Sequence, residues 1–391
     1  MTEPKMTVTP LLGIFNDCFP PIMDGVSITT QNYAYWLSKR TDNKVCVVTP
    51  KCPGSYDDTP YSVYRYSSLF IPFRKPYRFG IPLMDWNFKT QIHRLPFGLV
   101  HAHCPFSSGK IAMQIAQKQH IPLVATFHSK YEMDFAHLIP NKYLLRHIVQ
   151  NIIDFYEAAD EVWIPQSAVE ETLREYGYKG KVEVVENGSD FGNEPQMELV
   201  RSKARSELGI PSNENIFLFV GQHIWEKNIS FLLHALSRLN NIHFSMYFIG
   251  TGYAEKGIKK LTCDLALSSK VTFLGQINDR EELKKYYAAA DLFLFPSMYD
   301  NAPLVIREAA AMHTPSVLLK GSTASEIIEH GWNGFLSTAY LDKYAELIRK
   351  LVYHPEEIQQ VGFNASQTIV RPWSDVVDEV LDRYIHLINR K

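Results

Sequence analysis

The chain has 391 residues, 46% of them apolar and 21% charged, with a formal charge of −2 at neutral pH. Such values describe a globular protein with room for two ordinary domains, and they exclude a disordered chain or a dedicated nucleic-acid surface. Five cysteines, Cys18, Cys46, Cys52, Cys104 and Cys263, stand without CxxC spacing, which reads as reduced thiols in a cytoplasmic compartment. The opening stretch MTEPKMTVTPLLGIF lacks signal-peptide architecture, and no apolar run approaches the roughly 18–20 residues of a membrane span.

In chain order, short apolar runs alternate with helical stretches. Strands are expected at 11–15 (LLGIF), 45–50 (VCVVTP), 99–103 (LVHAH), 123–128 (LVATFH), 161–165 (EVWIP) and 182–187 (VEVVEN), with helices at 28–39, 107–119 and 143–159 among them. A polar, turn-rich seam follows at 186–196 (ENGSDFGNEPQ), after which strands resume at 216–221, 244–250, 271–275, 292–296 and 316–319. Apolar runs without alternation fit strands buried on both faces, and the strand–helix rhythm predicts parallel sheets covered by helices, twice over. The expected class is α/β, with two doubly wound Rossmann-like domains facing a central cleft, at 1–190 and 191–370. The tail 371–391 has helical periodicity and either covers the second domain or crosses back to the first.

Four stretches carry candidate chemistry. In FLFPSMYDNAPLVIREAAAMHTP, Asp300 stands on a loop and Glu308 inside a helix whose first helical residue is expected at Pro303. The free amides of that first turn suit a phosphate, and a carboxylate can accept two hydrogen bonds from adjacent hydroxyls. The bland alternative pairs Glu308 with Arg307 or a lysine and leaves Asp300 as a turn residue. In FVGQHIWEKNISFLLHAL, Lys227 precedes Asn228, a good helix N-cap residue, and would neutralise a diphosphate; otherwise it is a surface lysine. Gly25, in PPIMDGVSITTQ, can bring a backbone amide to an anion or merely turn the chain. His128 ends the strand of ATFHSKYE and can serve a sugar hydroxyl or move a proton, while His101 and His103 flank the neighbouring strand end. Ordinary satisfied histidines would look the same.

Other signals exclude. GTGYAEKG lacks the third glycine of GxGxxG and is expected to shape a turn; there is no P-loop, no Asp-x-Asp, no HExxH and no Cys/His cluster, so no metal site is expected. The stretch YSVYRYSSLFIPFRKPYRFGIPLMDW mixes aromatics with Arg65, Arg74, Lys75 and Arg78. It fits either an anionic membrane surface or an acceptor-side loop.

The order of the Gly25 loop, VHAHCPFSSGK, VATFHSKYE, VENGSDF, VGQHIWEKN, FIGTGY, VTFLGQI, AADLFLFPSMYDNAPLVIREAAAMHTPSV and EIIEHGWNGFLS resembles the retaining glycosyltransferases of family 4, with the GT-B fold, over essentially the whole chain. HSKYE is somewhat like diacylglycerol glucosyltransferases. In that family the first half receives the acceptor and the second binds a nucleotide sugar. Its signature is two acids separated by seven residues, positions that Asp300 and Glu308 occupy.

The resemblance implies that Glu308 holds the ribose and Asp300 the donor sugar. Lys227 and the Gly25 amide would hold the diphosphate, with His128 beside the reacting sugar, and Val26, Gln222, Asn301, Ala302, Leu304 and Val305 completing the donor site. It implies no cofactor beyond the donor, expected to be UDP-linked. The acceptor would be a lipid or glycan, in a cytoplasmic protein that could rest on the inner membrane surface. Three features depart from the family. Asp300 replaces the usual glutamate, Gln222 replaces an arginine that partners the lysine unless His223 substitutes, and Asn301, Ala302 and Pro303 replace Gly-Phe-Gly. Gln222 and Asp300 leave open a non-catalytic nucleotide-sugar binder, and an epimerase on the same fold is a further alternative.

Overall fold

A computed structural model describes residues 10–71, 76–136, 139–192, 194–211 and 213–391; Arg74, Lys75 and the first nine residues of the opening stretch lie outside them. The chain forms two compact units, Met1–Asn187 together with Trp373–Lys391, and Gly188–Pro372.

The first unit is built on a seven-stranded parallel sheet. From edge to edge its strands are Ser62–Tyr66, Val45–Pro50, Leu11–Phe15, Phe97–Ala102, Leu123–Thr126, Glu161–Ile164 and Val182–Val184. The second unit carries a six-stranded parallel sheet in the order Val271–Gly275, Phe244–Ile249, Asn215–Val220, Leu292–Phe295, Ser316–Leu319 and Phe335–Ser337. In each, the first strand of the unit lies between the second and the fourth, the doubly wound order. The chain therefore reverses direction across the sheet on either side of that first strand, which opens a crevice at the strand C-termini.

Burial explains the apolar runs. Every residue of Leu292–Phe295 and all but the first of Asn215–Val220 are buried, and their rings stack into one aromatic seam. Phe219 lies 5.7 Å from Phe295 and 5.4 Å from Phe248, centroid to centroid. GTGYAEKG does shape a turn: a Cβ on Gly250 would meet the Gly221 carbonyl at 2.0 Å, and one on Gly252 the His223 carbonyl at 2.3 Å. Those glycines let the loops after two neighbouring strands touch backbone to backbone.

The tail forms the helix Trp373–Arg390 and belongs to the first unit. It buries Trp373, Val376, Val377, Val380, Tyr384 and Leu387 and is pinned by Arg40–Asp378 at 2.6 Å and Lys391–Asp160 at 2.9 Å. Short elements escaped the sequence reading, among them the strand Phe335–Ser337 at the edge of the second sheet. The edge strand Ser62–Tyr66 is only half-buried, and Ser68–Phe70 pairs antiparallel with Arg78–Gly80 as a small hairpin.

Candidate active site

In the second unit the crevice is bounded by the loops that follow Asn215–Val220 and Leu292–Phe295. Lys227 ends a 3-10 turn, Trp225–Lys227. Asn228, expected to cap the next helix, instead adopts a left-handed conformation with φ of 60° and makes no capping bond. Its amide donates to the Pro296 carbonyl at 3.2 Å, lashing the lysine loop to the end of the neighbouring strand. Lys227 Nζ consequently lies 2.6 Å from Asp300 Oδ1, and the Ser297 hydroxyl donates to Asp300 Oδ2 at 2.6 Å. Two residues 73 positions apart thus form a compact pair, with side chains only 10% and 16% exposed.

The helix Leu304–Ala311 starts one residue later than expected, because Pro303 is the N-cap, with ψ of 128°, rather than the first helical residue. No side chain caps it, so its first-turn amides at Leu304 and Val305 carry the positive end of the helix dipole toward the Asp300 loop. Asn301 is buried and Ala302 and Gln222 half-buried around the same loops.

Glu308 does not pair with Arg307, whose guanidinium donates to the Ile369 carbonyl at 2.6 Å. Its partners come from the helix Arg280–Ala289: Arg280 Nη2 donates to Oε1 at 2.6 Å and the Tyr287 hydroxyl to Oε2 at 2.7 Å. Burial works against the Arg280 charge, but Glu308 and Asp190 outweigh it and raise its pKa. Burial, reinforced by Glu308, holds Tyr287 as a phenol. His223 supplies no cation in place of the missing arginine. It is fully buried against Phe248 and Phe273, and burial lowers its pKa to about 4.

In the first unit, Gly25 opens the helix Gly25–Arg40, but Asp24 already caps it, accepting from the Ser27 amide at 2.8 Å. Burial raises the pKa of the Asp24 carboxylate. Gly25 itself is exposed, and a Cβ there would meet nothing within 4 Å. His128 follows Leu123–Thr126 and stacks on His103, with His103 Nδ1 and His128 Nε2 3.0 Å apart. His103 stacks in turn on His101, which is held by Tyr384 and Thr126.

Two families match this chain. Residues 23–192 match the family described as Glycosyltransferase Family 4, and residues 200–368 match Glycosyl transferases group 1. The chain belongs to glycosyltransferase family 4. This glycosyltransferase is 24% identical over 377 residues to an alpha-monoglucosyldiacylglycerol synthase of Acholeplasma laidlawii, covering 90% of this chain and 91% of that one. Among solved structures it resembles a sucrose-phosphate synthase from Thermosynechococcus elongatus with a TM-score of 0.81 at 20% identity, covering 98% of this chain and 100% of that one. It also resembles Anabaena HepE in complex with UDP-glucose, with a TM-score of 0.76 at 18% identity, over 96% of this chain and 100% of that one. Those likenesses establish the GT-B fold.

The glycosyltransferase also holds site neighbours that the sequence reading missed, Arg280 and Tyr287 above all. Tyr287 lies on the buried face of its helix, but nothing local tells which acid it meets. The histidine stack has a consequence for stability. Burial lowers the pKa of His128 to about 3 and those of His101 and His103 well below the ordinary value. The folded chain therefore binds fewer protons than the unfolded one below about pH 6.5, and stability rises with pH through that window and is lost as pH falls. Each ring contributes up to about 1.4 kcal/mol per pH unit. Melting temperature should fall steadily from pH 6.5 to pH 4.5, and His101→Asn should flatten that fall. A wild-type profile level across the window would refute the account.

Proposed function

We propose that this glycosyltransferase transfers a hexose from a UDP-sugar to a lipid-linked or glycan acceptor, with retention of anomeric configuration and without a metal ion. The observation that carries the reading is the meeting of Lys227, Asp300 and an uncapped helix N-terminus at the crevice, with Glu308 just over a turn along the same helix. In this assignment Glu308 takes the ribose diol. The amides of Leu304 and Val305 and the Lys227 ammonium take the diphosphate, with Gly25, Val26 and Gln222 completing that grip, and Asp300, Asn301 and Ala302 take the donor sugar. The bond from the anomeric carbon to the phosphate oxygen breaks with its electron pair leaving on the diphosphate. The acceptor oxygen bonds to the same face, and its proton passes to the departing phosphate oxygen. Lys227 and the helix amides act where that negative charge grows. Support for a UDP donor comes from the structural neighbour bound to UDP-glucose, and for a lipid acceptor from the diacylglycerol enzyme.

His128 is assigned a place beside the reacting sugar. His128→Ala should slow transfer by roughly a hundredfold or more while leaving UDP affinity nearly intact. Loss of UDP binding in that variant would mean the residue is misassigned.

A lipid acceptor also agrees with the hairpin and the turn that follows it. Leu69, Phe70, Phe79, Leu83, Met84 and Trp86 are all half or more exposed, a larger apolar concentration than a solvated surface usually keeps. Asp85, the single charged residue from Phe79 to Trp86, is turned inward to accept from the Ser67 and Phe88 amides. Exposed Lys51 and Lys89 flank the patch, an arrangement suited to an anionic bilayer surface. Among the described residues no helix is long and apolar enough to cross a membrane, so contact through this patch would be peripheral. Met84→Ser with Trp86→Ser should weaken sedimentation with vesicles containing phosphatidylglycerol at least fivefold while UDP affinity stays unchanged. Undiminished sedimentation would remove the patch from the membrane contact.

One observation favours a second reading. Lys227 and Asp300 neutralise one another, and Gln222 stands where the family places a cation, as in a nucleotide-sugar binder without turnover. Calorimetric titration with UDP, GDP and ADP, followed by UDP release from UDP-sugars in EDTA, separates the two. Release in EDTA from one UDP-sugar supports the transferase. Binding without release, even with diacylglycerol vesicles present, supports the binder, and no nucleotide binding overturns both.

A further inference from the structure

The geometry points to Arg280 as a positioning residue that sets the preference of the site for ribose over deoxyribose, an inference that rests on the assignment of Glu308 to the ribose. The Glu308 side chain is 3% exposed, and a carboxylate so placed is costly without a counter-charge. Arg280 supplies it through Nη2 on Oε1 at 2.6 Å, and Tyr287 donates to Oε2 at 2.7 Å. A carboxylate offers about four lone-pair positions. One on each oxygen is now taken, so the carboxylate plane is fixed, and a second position on each oxygen remains for a pair of adjacent hydroxyls.

Arg280 is itself held. Its Nε donates to Asp190 Oδ2 at 3.0 Å, and its guanidinium lies 4.5 Å from the Phe191 ring centre. Both anchors belong to the short segment that opens the second unit. The planar fork thus ties that segment to the acid inside the helix Leu304–Ala311, a geometry a lysine could reproduce in charge but not in shape. A diol loses one of its two bonds when a ribose hydroxyl is missing, so a rigid acceptor pair penalises deoxyribose and a loose one does not.

The test is the ratio of affinities for UDP and 2′-deoxy-UDP, measured by calorimetry on the full chain. Wild type should favour UDP by about tenfold or more. Glu308→Gln should shrink the ratio, and Arg280→Gln should bring it to within about threefold of unity. Arg280→Lys should restore part of it, and Asp190→Asn should reduce it in the same sense. A variant that merely loosens the fold weakens both ligands alike and leaves the ratio where it was. A full ratio in Arg280→Gln, with Glu308→Gln collapsed, overturns the role of Arg280 and leaves the ribose assignment standing. No preference in wild type, or none lost in Glu308→Gln, overturns the ribose assignment and this inference with it.

Discussion

Lys227→Ala is expected to lower the rate of UDP release from the donor about a hundred- to a thousandfold, the usual scale for losing one charge-stabilising donor at a developing anion. The lysine is the one cation that the loops of the crevice bring to Asp300 among the described contacts. With Gln222 in place of an arginine, the family's second cation is missing there, so the loss cannot be shared. The substitution also leaves Asp300 with its bond from Ser297 but without its counter-charge. Because both side chains retain some exposure, that costs less than the roughly 3–5 kcal/mol of breaking a fully buried pair, and the variant should remain folded. Lys227→Arg should keep a measurable part of the rate. Turnover of Lys227→Ala within threefold of wild type would remove the lysine from the transition state.

Glu308→Ala is expected to weaken UDP binding by about 1.5–3 kcal/mol, the worth of hydrogen bonds to a charged group, or roughly ten- to 150-fold in Kd. The burial of Glu308 makes a purely structural explanation the natural competitor, since its removal also takes a partner from Arg280. Comparing uridine with uracil decides between them. A ribose contact is felt by uridine and not by the free base, whereas a collapsed site loses both. Unchanged UDP affinity would end the ribose assignment outright.

How far these assignments were legible in the sequence differs by residue. Asp300 and Lys227 are conspicuous because each stands on a loop that follows a buried apolar strand, and Glu308 because it is an acid within the helix that comes next. Local reading went wrong by single steps at turns. Pro303 occupies the N-cap position instead of beginning the helix, and Asn228 takes a left-handed conformation to reach Pro296. The second outcome follows from how the lysine loop closes on a neighbouring strand, which no local propensity records. At Gly25 the sequence drew attention to the glycine, while the adjacent Asp24 turned out to take the Ser27 amide of the first helical turn.

The strand runs, the two α/β units and the helical periodicity of the tail were determined by the sequence alone, because burial on both faces of a parallel sheet demands continuous apolar runs and an amphipathic helix demands its period. Only the tertiary structure decided which unit the tail covers, that His101 meets Tyr384 across 283 residues, and that Arg280 meets Glu308 across 28. The physical reason is the same for each. A charge or polar ring must find its partner when it is buried, but the partner is chosen by which strand ends and helix faces the fold places side by side.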